Sequence, residues 1–227
     1  MHMKSKIKIA LAQLNPSVGN VKSNIDKLIN ERSKLNDDID ILVAPELYVS
    51  GYPIDDLVLR EDFLELVNDE INRLASCTKD KKSTIIVGAP RKFENTIRNS
   101  VYVIENGSIL TCRDKYELPN TGVFDEQRIF NAGKLSGPVN IKGIKIGIPI
   151  CEDIWKEDVT ECLVESGAEI IQIFDSWAGL IKQEDLNEYC YDPNRSLTNF
   201  CRKNNQCILN TFDFVSIFEN SVSIISI

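Results

Sequence analysis

The chain predicts an α/β layered domain, and three observations carry that prediction. Amphipathic helical stripes alternate with short runs of strand length. Those runs are almost continuously apolar, as in strands covered on both faces. The 227 residues are 43% hydrophobic, enough for one sizeable core or two small ones, and no repeat, low-complexity tract or linker divides them.

IKIALAQL, from Ile7 to Leu14, reads as a buried strand. Asn20 then caps a helix whose apolar positions are Val21, Ile25, Leu28, Ile29 and Leu35. Ile39 to Glu46 is a second buried strand, followed by a loop with Gly51 and Pro53. A second amphipathic helix carries its stripe on Phe63, Val67, Ile71 and Leu74. STIIVGAP is a third strand, and SVYVIENGSILTCRDK is a hairpin that turns at Asn106-Gly107. A loop from Lys115 to Gly133 leads to a strand pair around Gly143. The second of that pair, Lys145 to Ile150, runs into Cys151, and a helix is predicted over Glu152 to Ser166. EIIQIF is one more strand, a helical stretch with Pro193 follows, and NSVSIISI is a last apolar strand.

Composition removes several function classes. A formal net charge of -8 argues against a broad nucleic-acid footprint. No apolar run is long enough to span a bilayer, so no membrane partner is expected. Seven cysteines without regular spacing, no CxxC pair and no signal peptide point to a reducing cytoplasm. With His2 the sole histidine, no metal site is expected and a Cys–His catalytic pair is excluded.

The chemistry gathers at strand ends. Cys151 stands at a strand-to-helix corner, where helix N–H groups and a nearby cation lower a thiol toward its reactive thiolate. Lacking histidine, such a nucleophile needs a carboxylate as its base and a lysine or arginine as its charge partner. Glu46 follows LVAP and Lys115 follows LTCRD, also at strand ends. Singly, each has an ordinary explanation: solvated carboxylate, solvated lysine, small core filler.

Jointly, their contexts resemble the nitrilase (carbon–nitrogen hydrolase) superfamily, with APELYVSGYP around Glu46, RDKYELPNTGVFDEQRIF carrying Lys115 and GIPICEDIW around Cys151. SGYPIDDLVLR, the CEDIW run and the opening KIALAQLNPSVGNVKSNIDKL look like the glutaminase domain of glutamine-dependent NAD synthetases. The likeness covers about Lys6 to Gly167. It implies an αββα layered sandwich and glutamine amide hydrolysis through a cysteine thioester. Catalysis then falls to Glu46 as general base, Lys115 as oxyanion partner and Cys151 as nucleophile. The resemblance adds Glu126, orienting the lysine and the base, the Glu152 N–H as second oxyanion donor, and Tyr52 and Phe124 lining the glutamine pocket. Thr121 replaces a tyrosine common there.

The back third departs from that pattern. QIFDSWAG and the residues after it look like a segment of uroporphyrinogen decarboxylase, a (β/α)8-barrel enzyme. Residues 1–167 therefore read as a nitrilase-like core, and 168–227 as an altered or truncated C-terminal part of the same domain, grafted or diverged. Asp175, Ser176 and Arg195 receive no role. An altered tail is expected to raise KM or abolish turnover. No SGGxDS phosphate loop occurs, so the ATP- and magnesium-dependent synthetase step belongs to a separate chain or a lost domain. The glutaminase step itself calls for no cofactor. L-glutamine is the expected substrate, and pairing of such domains through their sheets implies a homo-oligomer. Two further hypotheses are an inactive remnant and a porphyrinogen decarboxylase fragment.

Overall fold

The structure is a computed structural model and describes residues 7–120, 124–174, 207–210 and 222–226. His2, Thr121, Asp175, Ser176, Arg195 and the stretch around Pro193 lie outside the described residues.

In chain order the strands are β1 (Ile7–Leu11), β2 (Ile41–Val43), β3 (Thr84–Phe93), β4 (Thr96–Glu105), β5 (Ser108–Asp114), β6 (Val139–Ile141), β7 (Ile144–Gly147), β8 (Ile170–Ile173), β9 (Cys207–Asn210) and β10 (Val222–Ser226). The helices are α1 (Val21–Lys34), α2 (Glu61–Cys77), α3 (Glu126–Ile129) and α4 (Glu157–Glu165). Two sheets result, one in the order β10-β1-β2-β3-β4-β5 and the other β6-β7-β8-β9.

Strand alternation sorts the side chains into layers. Ile9 on β1, Ile41 on β2 and Val101 on β4 enter the core between the sheets, where Ile146 of β7 and Ile170 of β8 meet them. Their chain neighbours Ala10, Leu42 and Tyr102 turn the other way and pack with Ile25 of α1 and Ile71 of α2. On the far side, Val159 and Leu163 of α4 form a smaller cluster with Ala168. Gly147 lets α4 approach, since a Cβ there would stand 3.1 Å from Leu163. The layers are thus α, β, β and α, as the resemblance implied. Between them, buried Asp40 accepts the β1 backbone N–H of Lys8 at 3.0 Å and pairs with Lys142 of the β6–β7 turn at 3.3 Å.

The local signals hold where their physics is local. Asn20 caps α1 through its side chain, which accepts the Ser23 N–H. The β4–β5 hairpin turns at Asn106 and Gly107, both at positive φ. Four details differ from the sequence reading. β1 stops at Leu11, where the Gln13 N–H turns back onto the Leu11 carbonyl, and β2 covers only Ile41–Val43, because the chain breaks into turns at Pro45 and Leu47. β3 and β4 pair as an antiparallel ribbon from Ile85↔Ile104 to Phe93↔Thr96, a hairpin that Pro90 within β3 disguises. The loop from Lys115 to Gly133 contains the short α3. The single helix expected over Glu152 to Ser166 is two pieces, a 3-10 turn at Cys151–Trp155 and then α4.

Candidate active site

Glu46 leaves β2 on a corner that has no room for side chains behind it. Leu47 takes φ 47, and Gly88 of β3 lies against the turn. A Cβ on Gly88 would stand 2.3 Å from the Leu47 nitrogen and 2.6 Å from the Pro45 oxygen. The Gly88 N–H donates to the Pro45 carbonyl at 3.1 Å, and its carbonyl accepts from Val49 at 3.1 Å. Glycine there fixes where Glu46 points.

Lys115 follows the last residue of β5. Its N–H donates to the Asn99 carbonyl at 2.8 Å and its carbonyl accepts the Gly133 N–H at 2.7 Å. Asp114, one residue earlier, is held by Arg91 and accepts the Ser100 hydroxyl at 2.6 Å. The lysine side chain therefore leaves an anchored backbone and is fully buried.

These residues meet in a closed charge cluster. Lys115 Nζ donates to Glu46 Oε1 at 2.8 Å and to Glu126 Oε1 at 3.0 Å. Glu126 Oε2 also lies 3.0 Å from the ammonium, outside hydrogen-bond geometry. Asn99 Nδ2 donates to the same Glu46 oxygen at 2.7 Å, and Tyr52 donates its hydroxyl to Glu126 Oε1 at 3.1 Å. The Phe124 ring stands 6.3 Å from that of Tyr52.

Burial weakens each charge, and the partners restore or oppose it. For Lys115, burial favours the neutral amine, but Glu46, Glu126 and Cys151 outweigh it and hold the ammonium well above the ordinary lysine range. Burial, joined by the Glu46 charge, pushes the Glu126 carboxyl up, and Lys115 only partly offsets this. Burial and the two carboxylates push the Tyr52 phenol up, so it stays a neutral donor.

Cys151 sits at φ 47, a left-handed conformation that a non-glycine residue adopts only when its surroundings impose it. Its N–H donates to the Phe174 carbonyl at 2.6 Å, beside the Ile150↔Phe174 bridge that extends β8. Asp153 locks the other side. Its Oδ2 accepts the Ile150 N–H at 3.0 Å, while Oδ1 accepts the N–H groups of Tyr116 at 2.9 Å and Glu117 at 2.7 Å. One buried carboxylate thus ties the cysteine corner to the backbone just after Lys115. Burial pushes the Asp153 carboxyl up to about 6, against the pull of those three N–H groups.

The 3-10 turn corrects the expected electrostatics of the thiol. Lys156 is extended and its N–H closes the turn on the Asp153 carbonyl, so α4 begins only at Glu157. The dipole of a long helix does not start at the sulfur; Lys115 is the cation whose charge couples to it.

The structure therefore gathers Glu46, Lys115 and Glu126 by direct bonds and sets Tyr52 and Phe124 beside them. Cys151 and Glu152 stand on the adjoining corner. The sequence reading did not single out Asn99 or Asp153. The signal for Asp153 was the CEDIW turn, where an aspartate two residues past the cysteine can reach back to the Ile150 N–H. Asn99, inside a strand, gave none. Among the described residues, no group of three or more His, Cys, Asp or Glu side chains could hold a metal ion. No described helix is long and apolar enough to cross a membrane.

Known proteins share both the sequence and the fold. The glutamine-dependent NAD(+) synthetase of Thermotoga maritima is 40% identical over 152 residues, which is 66% of this chain and 26% of that protein. The enzyme of the same name from Rhodobacter capsulatus is 33% identical over 172 residues, 75% of this chain and 31% of that protein. The chain thus spans less than a third of the length of these relatives. Among solved structures, the glutamine-dependent NAD+ synthetase of Acinetobacter baumannii superposes with a TM-score of 0.74 at 30% identity, over 89% of this chain and 38% of that one. A carbon-nitrogen hydrolase from Helicobacter pylori shares the fold alone, with a TM-score of 0.72 at 19% identity, over 92% of this chain and 74% of that one. The family described as carbon-nitrogen hydrolase matches residues 8–191, and this chain, a hydrolase of the nitrilase superfamily, belongs to it.

Proposed function

We propose that the chain hydrolyses the side-chain amide of glutamine through a thioester on Cys151, as the ammonia-supplying part of a glutamine-dependent NAD synthetase. The observation that carries this reading is the buried Glu46–Lys115–Glu126 cluster, with bonds of 2.8 and 3.0 Å, whose lysine also feels the charge of Cys151. Its relatives, glutamine-dependent NAD(+) synthetases, supply the substrate class.

In this reading the Cys151 sulfur attacks the amide carbon while Glu46 takes the thiol proton. The carbonyl oxygen becomes an oxyanion against the Lys115 ammonium and the Glu152 N–H; losing one such donor typically costs roughly 100- to 1,000-fold in rate. Glu46 passes its proton to the nitrogen, the C–N bond breaks, and ammonia leaves a thioester behind. Water then gives a proton to Glu46 and its oxygen to the acyl carbon, the C–S bond breaks, and glutamate departs as the thiol is reprotonated. Glu126 and its Tyr52 bond hold Lys115 in place, and Tyr52 and Phe124 face the substrate side chain. No cofactor enters this half-reaction. ATP and magnesium would serve the synthetase step, on a separate NAD synthetase chain or a further domain.

Glutamine-dependent release of ammonia and glutamate in equal amounts by the purified chain tests this. Cys151→Ala and Glu46→Gln should each abolish release; activity that survives either substitution would remove the corresponding role.

A further inference from the structure

We propose that Asn99 is a positioning residue that sets the basicity of Glu46. This rests on the reading of Glu46 as the general base. Asn99 lies on β4, 1% exposed, and touches both members of the ion pair. Its side chain donates to Glu46 Oε1 at 2.7 Å, and its carbonyl accepts the Lys115 N–H at 2.8 Å. The same amide leaves its Oδ1 buried without a hydrogen-bond partner.

An amide has two orientations, and this one sacrifices an acceptor to aim a donor at the carboxylate. Turning the amide over would set Oδ1 against the Glu46 oxygen, which is repulsive while that carboxyl is ionised. The observed orientation therefore stabilises the carboxylate over the carboxylic acid. Glu46 Oε1 already takes two donors, Asn99 and Lys115, so protonating that oxygen would break one of these bonds. A base held this way surrenders a captured proton readily to the leaving nitrogen.

Among the described residues, the charged and titratable groups acting around this carboxyl include Lys115 at the end of β5, Glu126 on α3, Tyr52 in the loop after β2 and Cys151 beyond the lysine. All remain when Asn99 is replaced, so a shift in the acid limb reports the lost donor. Iodoacetamide provides a readout that needs no turnover. Its rate of reaction with Cys151, mapped by mass spectrometry across pH on the full chain, has an acid limb set by the thiol and its base.

Asn99→Ala should move that limb up by about one pH unit, the worth of one hydrogen bond to a charged group. The acid limb of kcat/KM should move with it. If Asn99→Ala does not fold, the near-isosteric Asn99→Asp carries the test: a second carboxyl facing Glu46 should move the limb at least as far. An unmoved limb in a folded Asn99 variant, while Glu46→Gln moves it, overturns this inference and leaves the base in place. A limb that Glu46→Gln leaves unmoved overturns the general-base reading and the inference together.

Discussion

At the scale of single residues, the candidate site depends on two left-handed corners at non-glycine positions. Leu47 follows Glu46, and Cys151 is itself the corner; both have φ 47. Such conformations cost about 1–3 kcal/mol each and persist only where the surroundings over-determine them. Gly88 does this for the first corner. Gly88→Ala should lower stability by about 1–3 kcal/mol, because the added carbon meets backbone with no flexible side chain to yield. A displacement of Glu46 of about 1 Å should also reduce glutamine hydrolysis about 100-fold. Urea unfolding and steady-state rates check both; a stable, fully active Gly88→Ala would mean that the corner has slack. The thiols offer a second check at this scale. Burial pushes the Cys112 thiol up to about 11, whereas Cys151 couples to the Lys115 ammonium. Cys151 should therefore be alkylated at least about 10-fold faster than Cys112, and ahead of Cys77, Cys162, Cys190, Cys201 and Cys207. Uniform labelling would show that the lysine does not activate the thiol.

At the scale of elements, Asp153 joins two segments that the chain brings from afar: the end of β5 with Lys115, and the 3-10 turn with Cys151. Asp153→Ala leaves three backbone N–H groups without their acceptor and should cost on the order of 3 kcal/mol. Cys151 should also lose part of its selective reactivity. The pH dependence follows from the raised pKa. Between the ordinary aspartate value near 3.8 and about 6, the folded chain binds more protons at Asp153 than the unfolded chain does. The stability contributed by this group therefore falls as pH rises through that window. Asp153→Asn has no such titration, so its stability relative to wild type should rise over the same interval, measured by urea midpoints. A relative fall would mean that the three N–H bonds outweigh burial. The sequence made the elements legible because helical stripes, caps and the Asn106-Gly107 turn act within a few residues. It hid the β3–β4 ribbon, since Pro90 argues against continuing the third strand and only the ladder contacts reveal the pairing. It also hid the break at Lys156, which follows from Asp153 bonding to a distant segment. Glu46, Lys115 and Cys151 were legible because three family-like motifs surround them, each following a strand. Asn99 was not, because a strand asparagine looks the same whether it meets water or a carboxylate.

At the scale of the whole molecule, the tail completes both sheets. β10 runs parallel to β1, from Ile7↔Val222 to Leu11↔Ser226, and β9 runs parallel to β8. A chain ended after Phe174 would leave β1 and β8 with unpaired edges at the rim of a largely apolar inter-sheet core. Such a truncation should self-associate, and size-exclusion chromatography against the full chain checks this; a well-behaved monomer would show that the edges are protected without the tail. The altered tail is expected from the sequence to weaken substrate binding, because groups that orient a substrate supply rate through positioning. If glutamine binding suffers there, kcat/KM should fall through KM while Cys151 keeps its selective reactivity.

In the proposed mechanism Cys151 forms a covalent acyl intermediate with glutamine, assisted by Glu46 and Lys115. Mass spectrometry of acid-quenched reactions, with peptide mapping, reads that intermediate directly. Cys151 should gain the mass of one glutamyl group with glutamine, a gain absent with glutamate alone and absent in Cys151→Ala. Sustained ammonia release with no adduct on Cys151, or an adduct on another cysteine, would contradict it.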